Sequence, residues 1–121
     1  MTSPIEVATA YIDTWNCPET AGLDSLLERH WTPDASYVDP LMRANGYPEI
    51  GRLVAAVHQR FPGFSFKLLG LPNGFGEFVR LSWTLGPEGG QAPIEGSDIV
   101  EVQDGRIRRV VGFIDRAPQA N

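Results

Sequence analysis

Residues 93–107 read PIEGSDIVEVQDGRI. Ile94, Gly96, Asp98, Val100 and Val102 alternate with Glu95, Ser97, Ile99, Glu101 and Gln103. Alternation at period two is the mark of a half-buried strand, here over about 93–103. Asp104-Gly105 is a two-residue hairpin signal that turns the chain into a last strand over 106–115. Strands joined by so short a turn pair antiparallel, because parallel neighbours need a long crossover.

The same period extends upstream. Val79, Leu81, Trp83 and Leu85 alternate with Phe78, Arg80, Ser82 and Thr84. Phe64, Phe66 and Leu68 alternate with Ser65 and Lys67. Turn clusters at 71–76 and 86–90 separate these strands, and a short strand is predicted at about 35–39. Elsewhere the period is helical. Ser3-Pro4-Ile5-Glu6 is a helix start with a capping box, followed by Ile5, Ala8, Ile12 and Trp15 with Tyr11 beside them. A second helix over about 20–30 carries Leu23, Leu26, Leu27 and Trp31, and Thr32-Pro33-Asp34 breaks it. A third begins near Tyr47-Pro48-Glu49, buries Ile50, Leu53, Val54, Val57 and Phe61, and stops at Pro62-Gly63. Helices segregated before an antiparallel sheet predict an α+β fold. No repeat or linker divides residues 1–121, which read as a single domain with a frayed tail at 117–121.

Fifteen acids oppose ten bases, for a net charge of −5. That balance argues against a nucleic-acid surface, which needs a basic patch. The lone Cys17 excludes an internal disulfide and a cysteine-based zinc cluster, and no metal site is expected. The opening MTSPIEVATAYIDTW lacks a signal-peptide pattern, and no stretch is long and apolar enough to span a membrane, so a cytoplasmic protein is expected.

Strand parity singles out Asp98. It shares the apolar face of its strand, where an ionised carboxylate is costly unless it finds partners or keeps its proton. It bonds a backbone group, is turned outward by a bulge, or belongs to a working site. If it keeps its proton at pH 7, the net charge becomes −5 + 1 = −4. Asp39 ends the short strand with the parity of Ala35 and Tyr37, and Pro40 follows, so it is a turn starter or a second site carboxylate. Tyr11 lies on the side of the first helix that carries Ala8 and Trp15, and its buried hydroxyl needs a partner. A carboxylate in an apolar pocket can take a proton from carbon. A phenol and a neutral carboxylic acid can both donate to the resulting oxyanion. Such chemistry needs no cofactor.

The chain resembles the nuclear transport factor 2-like superfamily, which includes ketosteroid isomerases and SnoaL-like polyketide cyclases. The resemblance runs from Ile5 to Asp115. Residues 10–16, AYIDTWN, are similar to the isomerase segment bearing the oxyanion-hole tyrosine. Tyr37-Val38-Asp39-Pro40 is similar to the segment bearing the general base. Gly96-Ser97-Asp98-Ile99-Val100 is similar to the segment bearing a protonated aspartate. The resemblance implies a curved antiparallel sheet wrapped on helices, a cone with a deep apolar pocket. It also implies Asp39 as base, Tyr11 and Asp98 as oxyanion donors, and a homodimer paired through the outer sheet face. The sequence departs from steroid isomerases at Val54, where they carry a tyrosine that supports the oxyanion tyrosine. The epoxide-hydrolase members need Arg-x-Asp, and here Ser82 follows Arg80.

Trp83, Phe61 and Phe113 are candidate pocket walls, and His58 on the third helix is a candidate proton shuttle at the pocket mouth, or else a flank histidine half in solvent. Arg106, Arg108 and Arg109 read as a solvated or interface face. Together these features predict a cofactor-independent isomerase or cyclase acting beside the carbonyl of a small apolar molecule. The alternative is a non-catalytic module of the same fold, binding a small molecule or a protein.

Overall fold

Ser3 and Glu6 cap the first helix reciprocally, the Ser3 side chain accepting from the Glu6 amide and the Glu6 carboxylate from the Ser3 amide. This helix, α1, runs Pro4–Trp15, and α2 spans Thr20–His30. The computed structural model describes residues 3–118, so the tail expected to fray falls partly, at 119–121, outside the described residues. Then come β1 (Trp31–Val38), β2 (Arg43–Asn45), α3 (Gly46–Arg60) and β3 (Phe64–Leu68). The chain ends with β4 (Asn73–Phe75), β5 (Phe78–Pro87), β6 (Ile94–Gln103) and β7 (Arg106–Arg116). The sheet order is β2-β1-β7-β6-β5-β3, with β4 paired to β5.

The fold is α+β, but the sheet is mixed. The β1–β7 pair is parallel, which the hairpin argument could not reveal because most of the chain separates these strands. The first strand also begins at Trp31, a position read as helical, and runs through the supposed break. Its register slips between Trp31 and Ser36, and Pro33 and Asp34 sit exposed in that interruption, where a missing N–H removes no ladder bond. The short strands β2 and β4 lie inside segments read as loop and turn.

One core fills the concave side of the sheet. It packs Val7, Ala8, Tyr11, Ile12 and Trp15 of α1 and Ile50, Leu53 and Val54 of α3 against Leu81, Trp83, Leu85, Val100 and Val110. Ile5, read as part of the α1 stripe, is exposed. Two register shifts bend the long β6–β7 ribbon, and a bulge bends a strand by leaving one residue unpaired. In one of them Glu101 pairs with Arg109 and Val102 with Ile107, so β7 carries an extra residue. That residue reverses the parity of β7 beyond it. Val110 and Gly112 then face inward with Ile107, and Phe113 turns outward.

Candidate functional site

Tyr11 stands on α1 between two indoles, its ring 6.3 Å from Trp15 and 5.8 Å from Trp31. These contacts aim the phenol at the sheet, where its hydroxyl donates to Asp98 Oδ2 at 2.5 Å. Asp98 is 2% exposed and faces the helices, as its parity predicts. Its other oxygen, Oδ1, has no hydrogen-bond partner. That oxygen lies over Gly112, where a Cβ would sit 2.8 Å away. The same Cβ would be 3.4 Å from Asp39 Cβ, so Gly112 is the gap across which the two acidic residues approach.

Asp39 is held on both oxygens. Tyr37 donates to Oδ2 at 2.7 Å, and the amides of Leu41 and Met42 each donate to Oδ1 at 2.8 Å. The turn-starter role and the site role thus coexist in one side chain. Two Tyr–Asp pairs line one cavity: Tyr11–Asp98 is almost fully buried, and Tyr37–Asp39 lies beside it with Asp39 half-buried.

Burial lifts the Asp98 carboxyl to a pKa of about 6, with the nearby Asp39 charge adding to the rise and the Tyr11 hydrogen bond opposing it. The carboxyl group therefore titrates much closer to neutral pH than an ordinary aspartate, in the direction its place on the apolar face predicts. Burial also drives Tyr11 well above the ordinary phenol range, reinforced by the charge of Asp98. Tyr37 is raised too, first by burial and then by its bond to Asp39. Both phenols stay protonated and act as donors.

The cavity has a volume of about 900 Å³ and walls that are mostly apolar. Tyr11, Asp39, Asp98, Phe61 and Trp83 line it, as expected of them from sequence. Trp83 lies flat over Gly96, where a Cβ would come within 2.2 Å of Cζ2 of the indole. His58 and Phe113 do not line the cavity. His58 binds the Trp15 carbonyl at 2.8 Å; since a carbonyl only accepts, Nε2 carries the proton and ties the end of α3 to the end of α1. Phe113, at 52% exposed, lies on the outer face because of the β7 bulge. Three residues at the site escaped the sequence reading: Tyr37 and Arg60, which line the cavity, and Gly112, which lies under Asp98. Tyr37 was legible, because it shares the face of Asp39 two residues away. Gly112 and Arg60 carried no local signal. Among the described residues no group of three or more His, Cys, Asp or Glu is placed to hold a metal ion. In the basic run of β7, Arg106 bonds the Glu28 carbonyl and Tyr47, and Arg108 pairs with Glu101.

A family model for the SnoaL-like domain matches residues 8–110. The chain belongs to the SnoaL-like domain family. A candidate isomerase of this family from Agrobacterium tumefaciens str. C58 is 38% identical, with 95% of this chain and 99% of that one covered and a TM-score of 0.89. A candidate polyketide cyclase from Sinorhizobium meliloti (19% identity, 92% and 99% covered, TM-score 0.71) shares the fold. So does a candidate ketosteroid isomerase from Kribbella flavida DSM 17836 (22% identity, 98% and 82% covered, TM-score 0.70). No functionally curated protein matches. The SnoaL-like chain thus has the cone fold of the nuclear transport factor 2-like group, and among its described residues no helix is long and apolar enough to cross a membrane.

Proposed function

We propose that this SnoaL-like protein is a cofactor-independent isomerase or cyclase that moves a proton beside the carbonyl of a small apolar molecule, steroid- or polyketide-like. The observation that carries this reading is the pairing of two carboxyl groups and two phenols in one apolar cavity. Asp39 takes the proton from carbon, and the electron pair moves onto the carbonyl oxygen. Tyr11 turns its hydroxyl from Asp98 to that oxygen. Asp98, whose proton affinity burial raises, enters the step protonated and is the second donor. Return of the proton to another carbon completes an isomerisation, and attack of the enolate carbon on a second carbonyl completes a cyclisation.

Solvent exchange at the acidic carbon tests this directly. A β,γ-unsaturated cyclic ketone and a linear β-diketone, incubated with the protein in heavy water, should exchange faster than in buffer, and Asp39→Asn should abolish the gain. Acceleration that survives Asp39→Asn removes Asp39 as the base.

A second reading is a non-catalytic binding module. Two observations favour it: Asp39 accepts three hydrogen bonds that fix it, and buried Val54 offers Tyr11 no supporting hydroxyl. Binding of either ketone without exchange selects this reading. We also propose a cytoplasmic homodimer, paired through the outer sheet face where Phe78 and Phe113 are exposed; sedimentation of a Phe113→Lys variant as a monomer would support it.

A further inference from the structure

Three charged residues line the cavity, and they lie at different depths. Asp39 and Asp98 belong to the Tyr–Asp pairs, and Asp98 is almost fully buried. Arg60, on the last turn of α3, is exposed, as is the lining residue Ala56 one turn before it, so this end of α3 marks an opening of the cavity. The guanidinium of Arg60 lies 5.6 Å from the ring centroid of Phe61. Phe61 in turn stacks on Phe64 with centroids 5.4 Å apart, and both rings line the cavity. The rim therefore joins a flat aromatic wall to a fixed positive charge. Among the described residues only Lys67, Arg108 and Arg116 form ion pairs, and of the arginines left without one Arg60 alone lines the cavity. In a chain of net charge −5, a cation left unneutralised at the rim of an apolar cavity is a local reversal of the surface field.

We propose that Arg60 selects ligands that carry a carboxylate at the end opposite their reacting carbonyl, so that the substrate class is an apolar, partly planar keto acid. This rests on the reading of the Tyr–Asp pairs given above. The ligand's carbonyl oxygen meets Tyr11 and Asp98. Its apolar body lies along Trp83 and Phe66, its flat portion stacks near Phe61 and Phe64, and its carboxylate meets the Arg60 fork. A guanidinium suits this task because its planar donors match both oxygens of a carboxylate while its face stays on an aromatic ring. The arrangement also orients the ligand, since reversing it would bring the carboxylate against Asp39 and Asp98.

Two pairs of phenols separate the two ends of the cavity. A phenol oxygen stands in for the enolate oxygen, and within each pair only the distal carboxylate differs. One pair is 2-naphthol and 6-hydroxy-2-naphthoate; the longer pair is 4-phenylphenol and 4′-hydroxybiphenyl-4-carboxylate. At pH 7 the wild type should bind the carboxylate member of at least one pair about 5- to 10-fold more tightly than its neutral partner. The preference should fall to within about twofold in Arg60→Gln, persist in Arg52→Gln on the same helix, and shrink in about 0.5 M salt. Equal affinities within both pairs, or a preference unchanged in Arg60→Gln, would overturn the assignment. The neutral phenols report on the Tyr11–Asp98 end alone. If they bind Tyr11→Phe as tightly as wild type, the reading of that end fails, whatever Arg60 does. Absence of binding by all four probes overturns both.

Discussion

Tyr11 Oη donates a 2.5 Å hydrogen bond to Asp98 Oδ2, joining the first helix to β6 across 87 positions of sequence. The bond gives a buried carboxyl group a donor for one of its two oxygens, so removing it exposes a cost that burial otherwise hides. Tyr11→Phe should destabilise the fold by about 1–3 kcal/mol at neutral pH, because Asp98 Oδ2 is then buried without a partner. It should also raise the Asp98 titration midpoint beyond about 6, since the Tyr11 bond opposes the rise caused by burial. Carbon-detected NMR titration of the Asp98 side chain reads the midpoint; an unmoved value would contradict this account.

The stability effect of Asp98 has a definite sign. Its folded-state pKa is about 6 against 3.8 for an ordinary aspartate, so between those values the folded state binds more protons than the unfolded chain. Folding is therefore progressively disfavoured by this group as pH rises from about 3.8 to about 6. The shift corresponds to about 3 kcal/mol. Asp98→Asn keeps an acceptor for Tyr11 and has no charge to bury. Its stability relative to wild type should thus improve by about 2 kcal/mol between pH 4 and pH 7, measured as the difference of two urea-unfolding curves at each pH. A difference independent of pH would show that Asp98 does not titrate in this window.

Tyr37 positions Asp39 from two residues away on the same strand face. In Tyr37→Phe the Leu41 and Met42 amides still hold Oδ1, while Oδ2 loses its donor. The expected loss is about tenfold in the Asp39-dependent exchange rate, for about 1 kcal/mol of stability. Affinity for neutral 2-naphthol should stay within about twofold, because that probe meets Tyr11 rather than Asp39. Equal losses of rate and affinity would mean that Tyr37 serves the cavity wall alone.

Two glycines make room for the site. At Gly112 an alanine methyl would press on Asp98 Oδ1 at 2.8 Å, and that carboxyl group cannot move freely while Tyr11 holds its other oxygen. Gly112→Ala should cost about 1–3 kcal/mol and weaken phenol binding. At Gly96 the methyl would meet Trp83 at 2.2 Å and the Phe113 carbonyl at 2.6 Å. Since one of these is backbone, Gly96→Ala should cost about 3 kcal/mol or more, seen as a clear drop in melting temperature. Wild-type melting in either variant would mean that the strands shift without cost.

Much of this was written in local pattern. The period-two run around Asp98 placed it on the inner face, because neighbouring side chains of a strand point to opposite sides. The capping box at Ser3 and the stripe of α3 placed helices the same way. Local pattern failed where geometry is set by pairing between distant segments. The parallel union of β1 with β7 has no signal in either strand. The extra residue in β7 is visible only against its partner β6, and it alone turned Phe113 from a presumed wall into a surface residue. Likewise the approach of Asp39 and Asp98 across Gly112, and the place of Arg60 at the rim, exist only once the sheet curves. Sequence alone determined which side chains are apolar, which face each lies on between bulges, and that an acid had been placed among them. Tertiary structure decided which acids meet, because burial and proximity, not residue identity, set the proton affinity of Asp98.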